Sequence, residues 1–393
     1  MIQTNPVHPL FRSPSGRSLP LYLGTLLVVG ASALLGGCGD AGEAEATDAT
    51  AAAPANPNEA FLANLSAACG QAFSGVVTEA PEGDPYFTPG AELVLEFRVC
   101  SPDEVSVPVW AGDNGSRTWV FTRTGGGIDL RHDHRHSDGR SEPSTFYGAF
   151  VADPPVATEA PSANRHEFKR VNDEGMTTGW VVEIIPGERY TYGTQRDGVW
   201  RHRFDFDLSE AVPSPGDPWG HPPVGQTAEI APAQAAFLDN LAQQCGQAFA
   251  GRLTVVPEGS ATFTGDEDLI VHFRECGDDR LKLPFHADDD HSRTWIFTRT
   301  TAGIDLRHDH RLENGHPDPA STWYGAHTQD VGTPNRQEFL REELRDGVVT
   351  GWRVEILPGE RYTYGTIRDG EWSFRADFDL SDPIETPRAP WGH

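Results

Sequence analysis

Two histidine pairs on alternating positions are the residues of this chain with the clearest chemistry. The segment Asp-Leu-Arg-His-Asp-His-Arg occurs at 129–135 and again at 305–311. Residues two apart in a β-strand share a face, so the histidines of each segment are predicted on the side that carries the neighbouring aliphatic residues. Two imidazoles at this spacing reach one divalent metal ion when one or two further ligands join them. The predicted metal ligands are His132, His134, His308 and His310.

A second interpretation of the same histidines needs no metal. Buried neutral imidazoles that hydrogen-bond to Tyr, Thr or Asp side chains would give the same pattern, and a catalytic role is a third interpretation. The opposite side of the first segment carries Asp129, Arg131, Asp133 and Arg135, and we expect that charged side to face water. The motifs GxSxG and HExxH, a phosphate loop and a Rossmann fingerprint are missing, so no enzymatic reaction is assigned. A divalent metal is the one cofactor that the sequence suggests.

Aromatic residues recur at matching places in the two halves and are candidates for lining a cavity that binds a small apolar ligand. Filling of a solid core is the competing interpretation, because aromatic side chains dominate buried surfaces. The residues are Trp119, Tyr147, Trp180, Tyr190, Trp295, Tyr324, Trp352 and Tyr362.

Both sets of candidates are duplicated because the chain contains one unit twice. Residues 117–136 and 293–312 are identical at 16 of 20 positions, and residues 179–200 and 351–372 at 18 of 22. The repeated unit has about 160 residues, which is long enough for a domain. Two copies of this length indicate a tandem of domains.

The elements that must position these residues are mostly β-strands. Apolar residues alternate with polar ones from about residue 91 onwards, and Asp-Gly turns at 197–198 and 369–370 predict hairpins. Eight to ten short strands per unit are typical of a barrel or sandwich. An amphipathic segment opens each unit (59–73 and 235–249) and predicts a helix. We therefore expect an all-β protein with two tandem lipocalin-like antiparallel barrels or sandwiches, each opened by a short helix.

Four cysteines occupy equivalent places in the two units. Cys69 and Cys100, like Cys245 and Cys276, are 31 positions apart. In an exported protein this pattern predicts one disulfide per unit, and the spacing is too wide for a zinc ribbon.

The overall charge excludes one class of partner. The formal net charge is −27, with 58 acidic and 31 basic residues. Nucleic acid is therefore not an expected partner, since its binding requires a basic face.

The first residues predict export. Residues 1–37 have Arg12 and Arg17, no acidic residue and an apolar run before Cys38, as in a signal peptide. Leu35-Gly36-Gly37-Cys38 resembles the lipobox of bacterial lipoproteins, which implies that Cys38 is acylated and that the protein contacts the membrane through this anchor. Gly39, instead of Asp, follows Cys38, and in the Gram-negative family this implies the outer membrane as the location in the cell envelope.

The organisation that we expect has five parts. A signal peptide (1–37) precedes a disordered acidic tether (38–56), and β domain 1 (57–221) is joined by a Pro-rich linker (222–232) to β domain 2 (233–393).

The pattern SRTW…LRHDHRH, with its leading FLxxLxxxCGxAF segment, is similar to an uncharacterised group of secreted bacterial proteins. This resemblance covers both units and implies no activity. The sequence thus predicts a cell-envelope lipoprotein that binds a small ligand or an envelope partner without catalysis. The alternatives are a metal-binding protein or metal-dependent enzyme that uses the histidine pairs, and a structural or adhesive envelope protein.

Overall fold

The computed structural model describes residues 56–153, 162–171, 174–257, 259–260 and 262–393. The predicted signal peptide, Cys38 and nearly all of the predicted tether lie outside the described residues. In the described residues, no helix has the length and apolar character needed to cross a membrane. Residues 55–393 belong to one compact unit, so contacts between its parts can be described.

The described residues of the first half form one helix and eleven strands. Helix α1 is Pro57–Ser66. The strands are β1 (Ala72–Glu79), β2 (Glu92–Glu96), β3 (Val99–Cys100), β4 (Glu104–Ala111), β5 (Asn114–Thr124), β6 (Gly127–His134), β7 (Tyr147–Ala152), β8 (Arg165–Val171), β9 (Thr177–Ile185), β10 (Arg189–Arg196) and β11 (Val199–Val212).

The second half repeats the same elements. Helix α2 is Pro232–Ala242. The strands are β12 (Ala248–Val255), β13 (Leu269–His272), β14 (Glu275–Cys276), β15 (Arg280–Ala287), β16 (Asp290–Thr300), β17 (Gly303–His310), β18 (Tyr324–His327), β19 (Arg336–Leu340), β20 (Thr350–Leu357), β21 (Arg361–Arg368) and β22 (Glu371–Ile384).

Each half forms an antiparallel sheet that curls into a nearly closed barrel. The strand order of the first sheet is β7-β6-β5-β4-β2-β1-β11-β10-β9-β8, and the second sheet has the equivalent order. The first strand of each half pairs with the last. Nearly all the other neighbours in each sheet are also neighbours in the chain. At the remaining gap β7 lies beside β8, and Thr328 bridges to Phe339 in the second barrel. The predicted all-β fold with two tandem barrels is confirmed, and it is a barrel instead of a sandwich.

The opening helix is shorter than the segment predicted for it. Asn56 caps α1 with its side-chain oxygen, and Phe61 and Leu65 are fully buried against the barrel. The helix ends at Ser66, and Gly70 adopts φ +76°, a conformation that glycine tolerates without the cost of a Cβ atom. Ala72 and Phe73 therefore begin β1. The helical pattern of 59–73 did not predict this strand.

The predicted disulfides are present. Cys69 bonds to Cys100 and Cys245 to Cys276, and each bond joins the turn after the opening helix to the short third strand of its barrel.

Removal of either disulfide should destabilise the protein measurably. Each bond closes a loop of 31 residues, and the loop-closure entropy at that length contributes about 3 to 4 kcal/mol. We expect Cys69→Ala/Cys100→Ala and Cys245→Ala/Cys276→Ala each to lower the free energy of urea unfolding by roughly this amount. A change below about 1 kcal/mol in both double variants would contradict the entropic account.

Candidate functional site

The two inner histidines of β6 and β17 are fully hydrogen-bonded. His132 Nδ1 lies 3.0 Å from the Tyr147 carbonyl, and its Nε2 contacts the Tyr192 hydroxyl. A carbonyl can only accept a hydrogen bond, so Nδ1 carries the proton and Nε2 accepts from the tyrosine. His308 makes the same contacts with Tyr324 and Tyr364. Burial lowers the pKa of His132 to about 3, and the ring is therefore neutral at physiological pH.

Each outer histidine hydrogen-bonds to the hydroxyl of the tyrosine whose carbonyl contacts the inner histidine. His134 Nε2 is 3.1 Å from the Tyr147 hydroxyl, and His310 Nε2 is 3.1 Å from the Tyr324 hydroxyl. Burial lowers the pKa of both imidazoles to about 4. Each pair thus belongs to a His–Tyr network, and the described residues contain no group of three His, Cys, Asp or Glu that could hold a metal ion. The metal interpretation stays a prediction, and the contacts favour hydrogen-bonded neutral histidines.

The predicted aromatic set lies in and around the barrel interiors. Trp119 stacks on Tyr192 and Trp295 on Tyr364, both with ring centroids 3.8 Å apart. Tyr190 and Tyr362 are completely buried.

The other four predicted aromatic residues surround the inner histidines. Tyr147 and Trp180 contact the ring of His132, and Tyr324 and Trp352 contact that of His308. The aromatic residues therefore pack against one another or against histidine. Their binding of an apolar ligand stays a prediction.

The charged side of the histidine strands does not face water, contrary to expectation. Asp129, Arg131, Asp133 and Arg135 are all buried, with at most 6% of any residue exposed. The reason is that side chains on this face contact side chains of the other barrel. Burial alone would raise the pKa of Asp133. The nearby Arg135 and His221 outweigh that effect and hold this pKa well below its usual range.

Reciprocal contacts relate the two faces by an approximate two-fold axis. Arg135 lies 3.6 Å from Asp305, and the equivalent Arg311 lies 3.4 Å from Asp129. Such exchange of equivalent partners is the signature of an isologous interface.

Equivalent residues also meet each other on this axis. Phe146 stacks on its counterpart Trp323 with ring centroids 5.4 Å apart and planes 10° apart. Arg280 donates to its counterpart Glu104 at 2.6 Å. The two barrels therefore associate as the halves of a symmetric dimer do, within one chain.

The Pro-Trp-Gly-His segments at 218–221 and 390–393 join the barrels further. The Gly220 carbonyl accepts from Thr301 N–H of the second barrel at 3.1 Å, and the Gly392 carbonyl accepts from Gly125 N–H of the first at 3.0 Å. His221 and His393 contact Asp133 and Asp309 at 3.2 and 3.1 Å.

A cavity of about 900 Å³ lies between the barrels, beside the two-fold axis. Its walls come from the outer faces of β4–β6 and β15–β17, from the Pro-Trp-Gly-His segments and from residues 222–226 of the connection. Its volume is within the range of small-molecule sites. None of the eight predicted aromatic residues and none of the four predicted histidines lines it.

The cavity wall is cationic in a strongly acidic protein. Nine arginines and one lysine line it, against six aspartates and glutamates, whereas the whole chain carries −27. The cations are Arg98, Arg123, Arg131, Arg135, Arg274, Arg280, Arg299, Arg307, Arg311 and Lys282. Hydroxyls of Ser106, Thr118, Thr122 and Thr298 lie among them.

The sequence contained a signal for this site that parity alone does not reveal. In the strand Gly-Ile-Asp-Leu-Arg-His-Asp-His, the outward charged residues match between the repeats as fully as the inward residues do. Exposed positions tolerate substitution with small energetic effect, so identity on both sides of a strand indicates burial on both sides.

Comparison with known proteins does not show a family for this chain. No protein-family model and no curated protein matches it. A protein of unknown function of the DUF3598 family from Nostoc punctiforme is 14% identical, with 82% of this chain and 97% of that chain covered, at a TM-score of 0.21. The S. cerevisiae core factor is 6% identical over 77% of this chain and 49% of that one, at a TM-score of 0.11. Neither likeness supports a conclusion about fold or function.

Proposed function

We propose that the protein is a cell-envelope lipoprotein that binds a small polar molecule between its two barrels and catalyses no reaction. The observation that supports this proposal is the cavity of about 900 Å³, whose wall combines cations and hydroxyls of both barrels. The cations and hydroxyls in the wall favour a polar ligand over the apolar ligand expected inside a barrel. The predicted lipid at Cys38 would hold this site at the membrane, and residues 39–56 would space it from the bilayer.

Native mass spectrometry tests the proposal. The chain purified from the cells that make it should carry a small molecule in 1:1 ratio. The variant Thr122→Trp, which places an indole in the cavity, should lose that adduct because Thr122 lines the wall. Thr88→Trp is the matched control, because Thr88 is exposed and lies outside the cavity wall. A protein without any adduct, or an adduct that Thr122→Trp retains, would contradict the proposal.

A further inference from the structure

The two halves of the cavity wall differ in how their arginines are neutralised. In the first repeat, Arg98 lies 3.3 Å from Glu96, and Arg123 lies 2.7 Å from Asp153. Both arginines have counterparts in the second repeat, Arg274 and Arg299, which also line the cavity. The sequence thus retains the cations in both halves.

The counterparts of these cations in the second repeat do not make the same carboxylate contacts. His272 stands where the first repeat has Glu96, and the nearest carboxylate to Arg274 is Glu275 at 4.0 Å. Glu275 itself contacts Lys282 at 2.8 Å. Arg274 therefore has no close anionic partner of its own among the residues that the structure describes.

Arg299 has fewer contacts with anionic groups than Arg274. Among the described residues no carboxylate lies within ion-pair distance of Arg299, and its guanidinium makes one hydrogen bond, to the Ala228 carbonyl at 3.5 Å. Its Nε is buried without an acceptor. A guanidinium that is partly removed from water and unpaired is costly, so an anion at this place would be stabilised strongly.

We infer that the cavity takes an anionic small molecule, and that Arg274 and Arg299 of the second barrel hold its oxyanion group. This inference rests on the proposed function and specifies its ligand class. Guanidinium groups match the geometry of carboxylate and phosphate oxygens. Threonine hydroxyls at 118, 122 and 298 supply uncharged donors for the remainder of the ligand. The asymmetry orients the ligand with its charge towards the second barrel.

A panel of sugars of one shape and different charge tests the inference by isothermal titration calorimetry on the complete mature chain. The panel is glucose, glucosamine, glucuronate and glucose 6-phosphate. We expect glucuronate or glucose 6-phosphate to bind, at least tenfold more tightly than glucose and glucosamine, and with an affinity that falls as salt rises. The better of the two oxyanions distinguishes a carboxylate from a phosphate ligand.

Substitutions then locate the charge. Arg274→Gln and Arg299→Gln should each weaken the oxyanion about tenfold to hundredfold, as loss of a charged hydrogen bond does. Arg189→Gln is the control, since Arg189 is exposed and lies outside the cavity wall. Equal or tighter binding of glucose would overturn the anion inference while the proposed function stands. Failure of both oxyanions to bind would also overturn it, and the native mass spectrum would separately decide whether any ligand is held.

Discussion

Lowering the pH from 7 to 4.5 is expected to unfold this protein, with a steep loss of stability below pH 6.5. Burial lowers the pKa of His132 to about 3 and that of His134, His166, His286 and His310 to about 4, from 6.5. Below pH 6.5 the unfolded chain therefore takes up protons that the folded chain does not. Each such histidine removes roughly 1.4 kcal/mol of stability per pH unit until its folded pKa is reached.

The aspartates that also have lowered pKa values do not act in this window. Burial would raise the pKa of Asp133 and Asp309, but their ion pairs outweigh it and hold both values below 3.8. Their contribution to the free energy of unfolding is therefore complete at pH 5 and is lost only at lower pH. Urea unfolding at pH 7, 6 and 5 measures the histidine effect. A free energy of unfolding that stays constant from pH 7 to 4.5 would contradict it.

One histidine allows a sharper measurement. His286 is buried, and neither ring nitrogen has a hydrogen-bond partner among the described residues. His286→Phe should reduce the slope of the free energy of unfolding against pH by the contribution of about one proton, roughly 1.4 kcal/mol per pH unit. Trp110 is the equivalent residue of the first repeat, so Trp110→Phe perturbs the same position without removing a titrating group. We expect that control to leave the slope unchanged.

The second large effect is expected from Asp129. This fully buried carboxylate accepts from Trp323 Nε1 at 3.1 Å and lies 3.4 Å from Arg311 of the other barrel. Arg131 lies 2.8 Å from it, although outside hydrogen-bond angles. Asp129→Asn removes the charge that balances two buried arginines. We expect a loss of about 3 to 5 kcal/mol in urea unfolding, as found when one partner of a buried pair is removed.

The matched control is an exposed pair with the same local spacing. Asp138 and Arg140 are two positions apart, like Asp129 and Arg131, but their side chains are 52% and 36% exposed. Asp138→Asn should cost less than about 1 kcal/mol. Combining Asp129→Asn with Arg131→Met should restore part of the loss, because among the described residues Asp129 is the one ion-pair partner of the buried Arg131 guanidinium. Equal small effects at Asp129 and Asp138 would show that the buried network does not hold the barrels together.

The strands were predictable from the sequence because local alternation determines them. The sequence predicts strands around 105–110, 117–124 and 199–208, and these correspond to β4, β5 and β11. Parity also placed His132 correctly on the inner side. The strand β1 was not predicted, since Phe61, Leu65 and Cys69 continue a helical spacing up to the point where Gly70 turns the chain.

The cavity was not predictable in the same way. Alternation separates the two sides of a strand but carries no information about what packs on the outer side. Asp129 and Arg131 have the composition of a solvated surface, and only the approach of the second barrel buries them. Contacts between residues about 180 positions apart, such as Phe146 with Trp323, depend on the whole fold of both repeats.

The connection between the barrels changes how their association depends on dilution. A symmetric pair of separate subunits dissociates as its concentration falls, and a site at their interface disappears with it. Residues 213–231, between β11 and α2, tie the two faces covalently. A short tether keeps each face at an effective concentration in the millimolar range around the other. The cavity therefore persists in a single isolated molecule, at any abundance of the protein.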